Sequence, residues 1–243
     1  MVSVCLATYN GEKYIRQQIE SILPQLSAVD EIVVSDDEST DQTVPILESF
    51  NDSRIHIYIH KRRNEKVVWD YATHNFENAL SHAKGDYIFL SDQDDVFLPE
   101  KISKMKQRIK SPLDLAICNC KICDCSLNEI DKTQFEIDVT KSYLEAFTKF
   151  RMLGCCMAFH RNLYEKARPF PPSKVGHDLW LFLIAKHYGN VIYIDEPLHL
   201  YRRHDSSVTT AGAKSHYPLS FRLYYRLYII KAFLGKILFR RDD

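Results

Sequence analysis

Asp92, Asp94 and Asp95 put three carboxylates within four positions, in the run Ser91-Asp-Gln-Asp-Asp-Val-Phe97 directly after the apolar segment Tyr87-Ile-Phe-Leu90. Carboxylates at the edge of a low-dielectric core repel one another unless a cation joins them. A hard divalent ion, Mg²⁺ or Mn²⁺, takes oxygen ligands, usually keeps one or two protein carboxylates, and also binds phosphate oxygens. The run therefore predicts a metal site that touches a phosphorylated ligand.

The elements that must carry this site can be read from the apolar periodicity. Val2 to Ala7 reads as a buried strand, followed by the turn Thr8-Tyr9-Asn10-Gly11 and a helix with Ile15, Ile19, Ile22, Leu23 and Leu26 on one face. Glu31 to Val34 is a second strand ending in Asp36-Asp37-Glu38-Ser39-Thr40-Asp41, where Thr40 or Asp41 can cap a short helix. Ile55 to Ile59 is a third strand, and a helix with Ala72, Phe76, Ala79, Leu80 and Ala83 inward closes at Lys84-Gly85. Asp86 to Leu90 is a fourth strand, carrying the acidic run at its C-terminal end. This alternation predicts a doubly wound α/β sheet, which binds ligands beyond the carboxyl ends of its strands. All three polar runs lie at such ends and should meet in one crevice.

Composition narrows the ligand. The 243 residues carry 32 basic and 32 acidic side chains, so the formal charge is zero and a dedicated nucleic-acid partner is not expected. The first turn has no Gly-x-Gly-x-x-Gly and the chain no Gly-Lys-Ser/Thr loop, so a metal rather than a glycine-rich cradle should hold phosphate. An apolar strand begins right after Met1 and no run of about 20 apolar residues occurs, which suggests a cytoplasmic protein without a signal peptide or span. Seven cysteines then read as reduced thiols. Cys118, Cys120, Cys123 and Cys125 should lie on a strand, the first two facing one side and the last two the other, which does not suit a tetrahedral zinc site.

Four markers in order, Thr8-Tyr9-Asn10, Asp36 to Asp41, Asp92-Gln93-Asp94-Asp95 and His177-Asp178, resemble the family-2 glycosyltransferases and their GT-A fold. The resemblance spans about residues 2 to 205. With His177-Asp-x-Trp180 and Tyr201-Arg-x-His204, it looks like the bacterial surface-polysaccharide subgroup that includes rhamnosyltransferases. It implies a mixed sheet with a nucleotide-sugar-binding half over residues 1–110, an acceptor-binding and catalytic half over 111–215, and a helical extension over 216–243. It also implies that Asp36 or Asp37 accepts from the nucleobase N–H while Tyr9 packs on the base. Thr8 and Asn10 belong to the same donor-binding turn, Thr8 either contacting base or ribose or closing the turn. Asp92 and Asp94 correspond to the Asp-x-Asp pair, Asp92 at the ribose or metal and Asp94 on the metal. Asp95 either joins them or caps the next helix. His204 resembles a late histidine closing over metal or diphosphate, with Arg202 or Arg203 at phosphate. The chain departs from the family at Glu38, where glycine is usual.

Attack at the anomeric carbon needs a base for the acceptor hydroxyl, and the resemblance assigns Asp178; an N-cap role is the structural alternative. His177, Trp180 and Gly154 are expected on the acceptor side, Trp180 either as a sugar platform or in the core. The expected activity is inverting, metal-dependent transfer of a hexose from UDP-glucose, UDP-galactose or dTDP-rhamnose to a lipid-linked or protein-linked glycan. A sugar nucleotidyltransferase and a non-catalytic nucleotide- or glycan-binding module are the alternatives.

The tail from Pro218 to Arg241 mixes Tyr, Leu, Ile and Phe with basic residues and has no acid. On a helix, Arg222, Arg226, Lys236 and Arg240 share one face and Lys231 lies opposite, predicting either contact with the inner membrane face or packing on the domain or a sister subunit.

Overall fold

The computed structural model describes residues 1–65, 67–131, 142–149, 152–172, 175–204 and 218–239. Apolar runs at Val2–Thr8 (β1) and Glu31–Asp36 (β2) are buried along almost their whole length, and Ile55–Ile59 (β3) forms a half-exposed edge beside them. Strands covered on both faces read as continuous aliphatic runs, which is why these were visible in sequence. Ile15–Ile22 (α1) and Thr43–Glu48 (α2) are the crossovers. Val68–His82 (α3) then returns the chain to Tyr87–Asp92 (β4), on the other side of β1.

That reversal is the topological switch point of the sheet. The first half is parallel in the order β3-β2-β1-β4. Val96–Phe97 (β5) and Lys101–Arg108 (α4) follow, then Leu115–Cys123 (β6), Glu129–Asp131 (β7) and Tyr143–Lys149 (α5). Met157–His160 (β8), Arg161–Ala167 (α6), His177–Tyr188 (α7), Val191–Arg202 (β9) and Leu219–Phe239 (α8) complete the described elements. β8 runs antiparallel between β4 and β6, and β9 runs parallel to β6, extending the path to β4-β8-β6-β9-β5. The predicted doubly wound α/β sheet is present, mixed rather than purely parallel.

Several boundaries differ from the periodicity reading. The helix predicted from Leu179 begins at His177, with Gly176 at its N-cap. Residues 191–202 form one strand with irregular register against β6 instead of a strand and a separate segment. The predicted helix over 140–151 is seen as α5; its ends lie outside the described residues. Cys118, Cys120 and Cys123 are buried in β6, whereas Cys125 lies past its end and is exposed, so the predicted two-and-two facing does not hold.

Glu38 adopts φ 58°, the left-handed region in which a side chain costs about 1–2 kcal/mol. The family's usual glycine at this position is thus a backbone requirement. Glu38→Gly gives up one carboxylate contact to the Arg62 N–H. After the entropy that glycine adds to the unfolded chain, we expect a net gain of about 0.5–1 kcal/mol, read as a melting temperature about 1–4 °C higher.

The tail does not present the predicted basic face outward. α8 buries Ile229 and Phe233 in the domain, and Lys236, on that same side, donates to the Arg168 carbonyl at 2.6 Å. Arg240 lies outside the described residues. Among the described residues, no helix is long and apolar enough to cross a membrane.

Candidate active site

Gln93 ties the first turn to the acidic run. Its side-chain carbonyl accepts from Thr8 Oγ1 at 2.5 Å and from the Tyr9 N–H at 2.8 Å, while its amide donates to the Tyr9 carbonyl at 3.1 Å. Gly11 is needed beside it, because a Cβ there would stand 2.3 Å from Gln93 Oε1. The first turn is also tied to the second acidic run: the Asn10 N–H donates to Ser39 Oγ at 2.8 Å, and Asn10 Oδ1 accepts from the Thr40 N–H at 2.9 Å. The three runs do meet in one crevice. Asn10, expected to bind donor, is exposed and ties the two loops together.

Within the second run the two aspartates differ. Asp36 is buried and both its oxygens accept from Ser39, from the N–H at 2.7 Å and from Oγ at 2.6 Å. Asp37 Oδ1 accepts from His60 Nδ1 at 2.6 Å. Burial raises the Asp37 carboxyl above its usual range, against the opposing pull of His60 and Arg62. Tyr9 is exposed, as a stacking surface must be, but the Arg62 guanidinium lies 3.5 Å from its ring centre and 4.4 Å from that of Tyr71. His60 and Arg62 are site residues that sequence reasoning missed. Both follow β3 directly, in a loop beyond a strand's carboxyl end, and that position was the available signal.

At the acidic run, Asp94 Oδ2 lies 2.7 Å from His204 Nε2, joining two residues predicted as metal ligands across 110 positions. Burial, followed by the charges of Asp95 and Asp94, holds Asp92 well above the usual carboxylate range. These groups fit a divalent cation. They are oxygen and imidazole donors, they crowd negative charge, and the proton between Asp94 and His204 stands where a cation would displace it. Asp94 and His204 would hold the ion, whereas the Asp92 carboxylate clusters with Asp95 and Cys155.

Asp95 neither caps a helix nor faces the crevice. It is fully buried and accepts from His199 Nε2 at 2.8 Å and the Arg202 N–H at 2.9 Å. His199 Nδ1 accepts from Lys101 Nζ at 3.0 Å, and Lys101, also fully buried, donates to the Cys155 carbonyl at 2.7 Å. Burial and then Lys101 depress the His199 imidazole, so it stays neutral and donates through Nε2. Cys155, Cys156 and His199 cluster closely, but both imidazole nitrogens are engaged and burial keeps the Cys155 thiol protonated, which marks packing and not a metal centre. Lys101→Met should leave the His199 nitrogen and the Cys155 carbonyl unpaired, costing about 3 kcal/mol, visible as a lower denaturation midpoint at unchanged m-value.

Arg202 is fixed within the fold. Its guanidinium donates to the Asp94 carbonyl at 2.6 Å and to Gln17 Oε1 at 2.6 Å, and it lies over the Tyr14 ring. Of the two arginines predicted for phosphate, Arg203 is the half-buried one, set between β9 and His204, with its N–H on the Cys123 carbonyl at 2.8 Å.

On the other side, Asp178 sits in the first turn of α7, not at its N-cap, and its Oδ1 accepts from the Leu179 N–H at 2.7 Å. Burial raises its carboxyl to about 6. Gly176 makes room for it, since a Cβ there would be 2.6 Å from Asp178 Oδ1. His177 packs on Phe76 with both ring nitrogens buried and without hydrogen-bond partners, and burial lowers its imidazole to about 3. Gly154 faces His177, because a Cβ there would meet Nε2 at 2.6 Å, so it serves this packing and is not shown as an acceptor contact. Trp180 is only 2% exposed and donates through Nε1 to the Ala167 carbonyl at 2.9 Å. It is a core residue and not a sugar platform.

A crevice lined by two acidic loops, with a carboxylate of raised pKa at a helix start, can now be compared with known proteins. The family described as "Glycosyl transferase family 2" matches residues 3–168. The chain belongs to this family. As a family-2 glycosyltransferase, it is 28% identical to the dTDP-rhamnosyl transferase RfbG of Shigella flexneri, over 91% of this chain and 77% of that protein. It is 24% identical to the abequosyltransferase RfbV of Salmonella typhimurium, over 93% and 74%. Among solved structures, TarS 1-349 of S. aureus in complex with UDP-GlcNAc superposes with a TM-score of 0.70 at 20% identity, over 96% of this chain and 66% of that one. The mannosyltransferase PcManGT of Pyrobaculum calidifontis, in complex with GDP-Man and Mn2+, gives 0.57 at 20% identity, over 100% and 65%. These likenesses establish the GT-A-like fold, and the glycosyltransferase acts on nucleotide sugars.

Proposed function

We propose that the enzyme is an inverting hexosyltransferase that uses a divalent cation, Mn²⁺ or Mg²⁺, and transfers a sugar to a hydroxyl of a growing glycan carried by a lipid or a protein. The observation that carries this reading is Asp178, a carboxylate raised to about 6 that stands close enough to the acidic run for its charge to act on Asp92. A group of that pKa is ionised near neutrality yet basic enough to take a proton from an attacking hydroxyl. One such base serves a single displacement, which inverts the anomeric carbon.

Residues 1–110 would hold the donor. Asp37 is the better partner for a nucleobase N–H, because Asp36 gives both oxygens to Ser39. Uracil and thymine both offer that N–H, consistent with UDP-glucose, UDP-galactose or dTDP-rhamnose; RfbG is a named dTDP-rhamnosyl transferase and TarS was solved with UDP-GlcNAc. Arg62 would give way to the base on Tyr9 or lie against its edge. Asp92 faces the ribose, and Arg203 the diphosphate. When bound at Asp94 and His204, the cation neutralises charge on the departing nucleoside diphosphate.

A panel of UDP- and dTDP-sugars with Mn²⁺ tests the reading by thermal shift and by transfer. We expect one nucleotide class to raise the melting temperature only when metal is present. Failure of every sugar nucleotide to bind with metal would overturn it.

A further inference from the structure

α8 has two apolar faces, and only one of them is used by the domain. On the inner side Ile229 and Phe233 are buried, and the Phe233 ring packs against Tyr143 at 5.7 Å, Phe147 at 6.0 Å, His187 at 5.8 Å and Trp180 at 6.5 Å. Trp69 meets Tyr225 edge-on at 5.2 Å. These contacts fix the rotation of the helix about its axis. They leave Leu223, Leu227, Leu234 and Leu238 outward, 51%, 66%, 43% and 64% exposed. At 3.6 residues per turn these four fall within an arc of about 60°. A contiguous leucine stripe on a single helix is a docking surface, in contrast to scattered exposed leucines.

Charge decides what docks there. Residues 218–241 contain no acidic side chain, and of the basic ones Arg222 and Lys231 are exposed, while Lys236 is turned to the domain. Lys231 borders the stripe and is exposed. A second copy meeting this face about a two-fold axis would bring two acid-free helices together, like charge against like. An anionic lipid surface instead takes the leucines among its acyl chains and the basic groups at its headgroups. We propose that α8 lies on an anionic bilayer through this stripe.

This has a consequence for the acceptor, which rests on the role proposed for Asp178. The inner side of α8 packs on α7, the helix whose first turn holds Asp178, so the catalytic half sits about one helix diameter, ~10 Å, from the lipid. A glycan anchored in that bilayer would then be the acceptor class that the site can reach.

The test uses the full chain with vesicles of phosphatidylcholine alone or mixed equally with phosphatidylglycerol. We expect co-sedimentation with the mixed vesicles only, weakened by salt. The double variant Leu227→Glu/Leu234→Glu should reduce binding at least about tenfold, and Lys231→Glu should reduce it less. Both should retain Mn²⁺-dependent binding of UDP or dTDP, which shows that the fold is intact. No sedimentation, equal binding to neutral vesicles, or a dimer in light scattering that the glutamates dissociate would overturn the proposal. Nucleotide binding and vesicle binding are read separately, so failure of one reading leaves the other standing.

Discussion

Asp178→Asn is expected to slow glycosyl transfer about 10²–10⁴-fold while leaving nucleotide affinity nearly unchanged, because the amide keeps the shape of the side chain and loses its basicity. The same substitution should make the protein more stable. Burial raises the carboxyl to about 6, above the value near 3.9 of an unfolded chain. A group raised in this way favours folding fully below its unfolded pKa, and that contribution is lost as pH rises through the folded value. Asparagine does not titrate. The variant should therefore match the wild type near pH 4 and gain on it between about pH 4 and pH 6, with a plateau of about 3 kcal/mol above that window. Transfer by the wild type should fall below about pH 6, as the base becomes protonated. Unchanged transfer by Asp178→Asn would remove the carboxylate from the mechanism, whatever the stability data show.

The second large effect is expected at the metal loop. Asp94→Ala should weaken Mn²⁺ binding at least about 100-fold, measured by titration in the presence of the nucleoside diphosphate. His204→Ala should do nearly as much, since its Nε2 and Asp94 Oδ2 are already 2.7 Å apart and point at the same place. Two ligands of one ion act as a unit, so the double variant should lose much less than the sum of the two single losses. Additive losses would mean that His204 and Asp94 do not share a cation, and that their contact only pins the end of β9 to the loop.

Much of the crevice could be read from residue order because each donor loop ends an aliphatic strand, and strand ends at a switch point converge whatever the side chains do. Asp94 and His204 were legible on the family's pattern, and the fold joined them. Contacts that depend on rotamer and distance along the chain were not. Nothing local marks Lys101 as a buried cation reaching His199, 98 positions away, or Gln93 as the link between two loops. Trp180 was open to two readings because α7 is apolar on nearly every side, so periodicity did not say which way its indole turned. The tail misled for a related reason. Ile229 and Phe233 compete with a leucine stripe for the domain, and only packing against Trp180 and Tyr143 decides between them.

Gln93 stands between Asp92 and Asp94 in sequence, and its amide grips Thr8 and Tyr9. A base seated on Tyr9 and an ion seated on Asp94 would therefore sit on parts that cannot shift independently. Whatever factor the cation adds to nucleoside affinity, the nucleoside must return to the cation, because binding free energies around a closed cycle sum to zero. A mismatched base would then be felt first as a loosely held metal. Discrimination among nucleotides could reside in the amide of one glutamine that touches neither ligand.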